Sequence, residues 1–167
     1  MNTAERTTVD SGMDEFGGLW RALCDVLDPE VPVLSVVDLG VVRAIRRRGE
    51  IIEIDVAPTY SGCPAMEVIE QRIAVASRRQ TGREVRVNRV LSPPWTTDWI
   101  SREGKEKLRK YGIAPPALRA ARSQQPVACP RCGSVETQCV SEFGSTACKA
   151  AYRCNSCLEP FEHFKCL

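Results

Sequence analysis

Apolar residues recur at intervals of three and four through Phe16, Leu19, Trp20, Leu23 and Leu27, which predicts a helix with one buried face that stops before Pro29. Cys24, within that helix, reads as a packing residue. The next run, DPEVPVLSVVDLG, carries two prolines and a closing glycine and reads as an ordered loop. Val41 to Arg47 and Ile51 to Val56 are rich in β-branched side chains, and Arg48, Gly49 and Glu50 between them supply the turn of a hairpin. Met66, Ile69 and Ile73 return to helical spacing, so a helix is expected from Cys63 or Pro64 to about Gly82. Val85, Val87 and Arg89 alternate as a third strand, after which Thr97 or Asp98 is expected to cap a helix that ends at Gly112.

The order α, β, β, α, β, α, with a hairpin before a helical crossover, predicts an α+β fold: a small mixed sheet covered by helices. Residues 1–14 are polar and aperiodic and read as a disordered leader. The predicted domain is then 15–112, followed by a proline- and glutamine-containing linker at 113–128 and a cysteine-rich, metal-binding unit at 129–167.

Charge narrows the function classes. The 23 basic and 21 acidic residues leave a net charge of +2, too small a field to imply nucleic acid or a membrane as partner. The first fifteen residues lack a hydrophobic signal core, and apolar runs fall well short of the roughly 20 residues that a bilayer demands. The expected location is the cytoplasm. Seven basic residues against two acidic ones between positions 102 and 122, with Trp95 and Trp99 just before them, read either as a docking face or, more commonly, as a solvated helix with its tryptophans turned inward.

Nine cysteines change the picture, because seven of them fall in the last 39 residues. An odd number in a reducing compartment favours metal ligation over disulfides. Cys129 and Cys132 form one CxxC and Cys154 and Cys157 a second, with 21 residues between the pairs. That interval is slightly longer than the roughly 15 to 20 residues of common zinc sites. Two such turns brought together make a tetrahedral four-sulfur site, and a unit this small needs the metal as its core. Zinc is the expected ion. An iron–sulfur centre stays open beside it, because Cys139, Cys148 and Cys166 offer further thiolates. His163, the single histidine, reads as a surface side chain, with ligation in place of one cysteine as the alternative.

Cys63 stands alone upstream. At the start of a predicted helix, amide donors and the helix dipole would favour its thiolate, making it a candidate nucleophile or metal ligand; the competing reading is a small buried hydrophobe. Thr59 and Ser61 are placed to hydrogen-bond the sulfur or to cap the loop. Asp38, Asp28 and Glu30 read first as turn and capping residues.

DPEVPVLSVVDLG together with PTYSGCPAMEVI resembles the MIP18 (DUF59) domain, which is associated with iron–sulfur cluster assembly and metal trafficking. The further segments SPPWTTDWISREGKEKLRKYGIAPP, CPRCGS, SEFGSTACKAAYRCNSC and EPFEHFKC are similar to the D subunit of the phenylacetyl-CoA epoxidase (phenylacetate-CoA oxygenase) system. The resemblance implies an accessory factor of aerobic phenylacetate degradation that assists maturation of a diiron oxygenase complex. It implies Cys63, Thr59 and Asp38 as residues of cluster or metal transfer, through the TxxxCP element and the DLG turn. It assigns Cys129, Cys132, Cys154 and Cys157 to the tail metal, with Cys148 as an additional candidate. The implied cofactors are structural zinc and a transient iron or iron–sulfur cluster. The implied partners are the oxygenase or reductase subunits, with a second copy of this chain as a further candidate. One histidine cannot furnish the paired ExxH elements of a diiron bundle, and neither a GxGxxG nor a Walker loop is present, so a catalytic role is not expected. A docking subunit and a CxxC thiol oxidoreductase are the competing functions.

Overall fold

Two short sheets carry the chain. The computed structural model describes residues 13–60, 62–117 and 126–165. Helix α1 (Met13–Cys24) leads to the antiparallel hairpin β1 (Val42–Arg48) and β2 (Ile51–Val56), then α2 (Met66–Thr81) and β3 (Glu84–Arg89), which lies parallel to β2. The order β1-β2-β3 is the mixed sheet expected from the sequence. Ile52, Ile54 and Val56 point to one face of β2 and are fully buried beneath Leu19 and Leu23 of α1 and Met66, Ile69 and Ile73 of α2. Burial of each such side chain contributes about 1.5–3 kcal/mol. The opposite face is polar: Arg48 pairs with Glu53 at 2.9 Å, and Arg46 with Asp55.

Helix α1 begins at Met13, inside the stretch read as leader; residues 1–12 lie outside the described set. It also ends earlier than the periodicity suggested. The amides of Asp25 and Val26 close a turn on Ala22 and Leu23, so Val26 takes the buried position and Leu27 is left exposed. Cys24 is exposed rather than packed, a second departure from the reading of that helix.

The DPEVPVLSVVDLG loop is ordered by its own hydrogen bonds and by burial of Val31, Leu34, Val36 and Leu39. It closes at Gly40, whose φ of +67° and whose approach to the Trp99 carbonyl (2.4 Å from an ideal Cβ) leave no room for a side chain. The expected cap at Thr97 or Asp98 is corrected by the structure. Thr97–Trp99 forms only a single 3-10 turn, and helix α3 (Arg102–Tyr111) is capped instead by Ser101, whose hydroxyl accepts the Gly104 amide at 2.8 Å. Trp95 is buried and donates its indole N–H to the Leu39 carbonyl, while Arg43 stacks over Trp99. Trp95 is thus turned inward, whereas Trp99 is only half-buried.

The second sheet contains β4 (Ile113–Ala114), β5 (Thr137–Ser141), β6 (Lys149–Cys154) and β7 (Pro160–Phe164), in the order β4-β7-β6-β5. Strand β4 falls in the segment read as linker: Gly112 ends α3 in a left-handed turn, and the next two residues pair in parallel with Glu162 and His163. Ile113 belongs to the large core and Ala114 to the small one around the tail cysteines. The sheets are packed together as well as joined. Phe164, 1% exposed, meets Trp95 with ring centroids 6.4 Å apart, and Cys148 joins the same apolar cluster.

Candidate functional site

Four sulfurs converge in the tail. Those of Cys129, Cys132, Cys154 and Cys157 all lie within 4.8 Å of one another, with Cys129 to Cys157 at 3.8 Å and Cys132 to Cys154 at 3.6 Å. A tetrahedron built on Zn–S bonds of about 2.3 Å has edges of about 3.8 Å, whereas a disulfide closes to about 2.05 Å. The donor set therefore fits zinc: the four thiols are spaced as ligands would be and not as cross-links.

Two similar turns aim these sulfurs. In the first, the Cys129 amide bonds to the Ser134 carbonyl and Gly133 takes φ +78°. In the second, the Cys154 amide bonds to the Glu159 carbonyl and Leu158 takes φ +65°, the same left-handed step with a side chain attached. The Cys157 amide, donating to the Cys154 sulfur at 3.5 Å, leads the contacts that pull the Cys154 thiol down to about 6. For Cys157 the Glu159 backbone contact pulls downward, but burial and the three neighbouring sulfurs outweigh it and push the thiol up. A divalent cation removes that conflict by neutralising the gathered charge. The surrounding core consists of Ala114, Cys129, Cys154 and Phe161, so two of its four buried members belong to the four-sulfur group.

The other tail thiols stand apart. Cys139 is exposed on β5 and donates to the Glu142 carboxylate at 3.7 Å, and Cys166 lies outside the described residues. Cys148 is not among the four converging sulfurs; it is buried against the first domain, with the Thr146 hydroxyl 3.1 Å from its sulfur. His163 is half-buried, not on the surface. Its Nδ1 lies 3.2 Å from the Ala114 carbonyl, and burial pushes its pKa down.

Cys63 sits half-buried in the turn before α2, its amide bonded to the Tyr60 carbonyl at 3.1 Å. The helix begins at Met66, three residues later than the earliest expected start. The thiol is not activated in the way the sequence suggested. Burial raises its pKa, outweighing contacts from the Ala65 amide and the Thr59 side chain, and the nearby Glu30 and Asp28 carboxylates push in the same direction. Thr59 is thus brought to the sulfur, while Ser61 lies outside the described residues. Asp38 has other work: it accepts from the Ser35 amide and hydroxyl, from Ser101, and from Lys107 at 2.6 Å, which ties the DLG turn to α3. Asp28 folds its own loop through Oδ1, which accepts the Glu30 and Val31 amides at 2.7 Å each. The part of the site that sequence reasoning missed is the electrostatic influence of Asp28 and Glu30 on Cys63, since no local spacing encodes it.

An α+β domain with a half-buried thiol in the turn before α2, joined to a four-sulfur ribbon suited to zinc, defines a two-unit protein with a metal-binding tail. Family comparison divides the chain in the same manner. Residues 19–88 match the model described as iron-sulfur cluster assembly protein, and residues 114–165 match the PaaD zinc beta ribbon domain. The chain is 50% identical to an Escherichia coli (strain K12) protein provisionally named as the D subunit of 1,2-phenylacetyl-CoA epoxidase, over 89% of this chain and 92% of that protein. It is 35% identical to the Fe-S protein maturation auxiliary factor SufT of Staphylococcus aureus (strain USA300), over 50% of this chain and 96% of that one. Among solved structures, the DUF59 domain of unknown function from Bacillus anthracis superposes with a TM-score of 0.53 at 28% identity, covering 57% of this chain and 92% of that chain. The chain belongs to the family of the D subunit of phenylacetyl-CoA epoxidase. Among the described residues, no helix is long and apolar enough to cross a membrane.

Proposed function

We propose that this chain is a non-catalytic maturation factor of the multicomponent phenylacetyl-CoA epoxidase, acting in the cytoplasm and handing iron or an iron–sulfur cluster to the oxygenase or reductase subunits through Cys63. The observation that carries this reading is the half-buried thiol of Cys63, contacted by Thr59 and the Ala65 amide in an assembly-type domain. Its raised pKa suits a transfer thiol that stays protonated until a cation arrives and then exchanges its proton for the metal. In this reading Thr59 orients the sulfur and Asp38 secures the adjoining turn. The four-sulfur ribbon, closed to further ligands, holds zinc for structure. Co-expression of the epoxidase subunits with Cys63→Ser tests the transfer role: the variant is expected to fold and retain zinc but leave the oxygenase or reductase with less than half its normal iron. Client iron and activity equal to wild type would sink it.

A docking role is the second reading, and one observation favours it. Val140, Phe143 and Leu158 on the ribbon are each more than half exposed, with the Lys165 ammonium 4.8 Å from the Phe143 ring. Under that reading Cys63→Ser leaves client iron intact, while Phe143→Asp and Val140→Asp abolish co-purification with the complex.

A further inference from the structure

The edge strands of the two sheets are not equally closed. β1 breaks its register with a bulge between Val42 and Ala44, and Arg46, Arg47 and Arg48 along it each form an ion pair. Bulges and charges of this kind keep an edge from accepting a further strand. In the ribbon, β5 is bulged between Cys139 and Ser141, and β4 is two residues long. β3 pairs with β2 residue for residue from Glu84 to Arg89. Among the described strands it is the edge that is both unbulged and longer than two residues.

One hydrogen bond fixes which groups that edge presents. The Val90 amide donates to the Val56 carbonyl at 2.8 Å, and successive residues of a strand point their backbone groups to opposite sides, so the amides of Glu84, Arg86 and Asn88 face β2. Those of Val85, Val87 and Arg89 face outward. From that side the Arg78 guanidinium donates to the Val85 carbonyl at 3.4 Å. Beside the edge runs a groove of 610 Å³ with an apolar floor of Ala74, Val75, Val85 and Val87, and Val75 is 46% exposed. Its rim is short of negative charge. Arg78 forms no ion pair among the described residues, Arg86 has Glu53 no nearer than 3.9 Å, and Glu70 is engaged by Arg89 at 2.7 Å.

We propose that β3 is a docking edge, to which an extended segment of a client subunit adds as a fourth strand, its aliphatic side chains turned into the α2 groove and its carboxylates toward Arg86. The alternation follows from the pleat: one face of the added strand lies on Ala74, Val75 and Val87, the other beside Glu84, Arg86 and Asn88. A further carboxylate meets Arg78. A second copy of this chain fits less well. A two-fold register that uses the whole edge sets Arg86 opposite Asn88 and leaves the arginine uncompensated, and one that sets Glu84 opposite Arg86 runs β3 into the end of α2 at Gly82. The proposal rests on the transfer reading for the identity of the client and adds where that client is held. Arg89, at the end of the edge, bonds Glu70 in the helix that follows Cys63.

The test uses the full zinc-loaded chain with the purified oxygenase and reductase subunits of the epoxidase, read by hydrogen exchange at single-amide resolution. In the free chain the Val85, Val87 and Arg89 amides should exchange about tenfold or more faster than those of Arg86 and Asn88, and client binding should slow the first three by about the same factor. A client that binds without slowing them overturns the proposal, as does absence of binding by both subunits. If the outward amides are already protected in a free chain that sediments as a dimer, a second copy holds the edge and the client strand is refuted. Val87→Pro removes an outward donor and none that faces β2, so it should weaken client binding about tenfold with zinc retained. Where that variant fails to fold, Val75→Asp decides, since it sets a carboxylate in the groove from the exposed side of α2; binding equal to wild type overturns the proposal. Cys63→Ser should bind the client as wild type does. If it lowers client iron while the edge variants bind normally, the transfer reading stands and the docking edge falls. If it leaves client iron unchanged while Val87→Pro or Val75→Asp loses binding, the edge stands and the transfer reading falls.

Discussion

The ribbon and the α+β domain are stabilised by different means. In the domain, α1, α2 and three strands enclose a continuous apolar cluster, and each buried Ile or Leu adds its own small increment. In the ribbon, the cluster around the sulfurs has four buried members, two of them cysteines, so cohesion there is expected to rest on a single bound ion. One fold should weaken gradually with mutation, and the other should be all or nothing.

Metal removal is the largest perturbation available. Structural zinc contributes an apparent free energy on the order of 10 kcal/mol in small zinc-bound peptides. Chelation at neutral pH is therefore expected to erase the β5, β6 and β7 signals in an NMR spectrum while those of α1, α2 and β1 to β3 persist. Retention of the ribbon signals after complete zinc loss would remove the contrast between the two regions.

A graded loss is expected on the other side. Asp38→Asn weakens the contacts to Ser35 and Lys107 and should cost about 2 kcal/mol in denaturant unfolding at pH 7. The dependence on pH has a definite sign. Burial would raise the Asp38 carboxyl, but the Lys107 and Ser35 hydrogen bonds outweigh it and hold the group below the usual carboxylate range. Its contribution is therefore full above the unfolded value of about 3.9 and disappears as pH falls through the lower folded value. The stability difference between wild type and Asp38→Asn should be constant from pH 5 to 7 and shrink below about pH 4. A difference that grew on acidification would contradict this assignment.

The smallest effect concerns the paired turns of the ribbon. Leu158 occupies the left-handed position that glycine fills in the first turn. Leu158→Gly should raise stability by up to about 1 kcal/mol, read as a later chelator-induced or thermal transition, because the side-chain strain there is of that order. An earlier transition would mean that packing of the exposed leucine matters more than its backbone.

How far each region could be read in advance follows the same division. The CxxC pairs are local, and their spacing alone gathers four sulfurs; the apolar periods of α2 and the hairpin are equally local, and those elements fall within one to three residues of their expected bounds. Features set by distant contacts were not legible. Cys24 is exposed because the chain turns one residue after it, and Ser101 caps α3 because Asp38 and Gly104 meet it there. The raised pKa of Cys63 arises from burial and from carboxylates on a loop far upstream, so a helix-start argument gave the wrong sign. Cys148 looked like a spare tail ligand because sequence places it between the two CxxC pairs, whereas Phe164 and Trp95 seat that part of the ribbon on the other domain.

Strand β4 has a consequence for assembly. Because its two residues complete the sheet at β7, a tail cut free at Cys129 would present an uncapped row of backbone donors and acceptors. The best complement to that row is the Ile113–Ala114 segment of another molecule, so trimming the chain just before Cys129 invites reciprocal strand exchange and tangled oligomers in place of two independent modules.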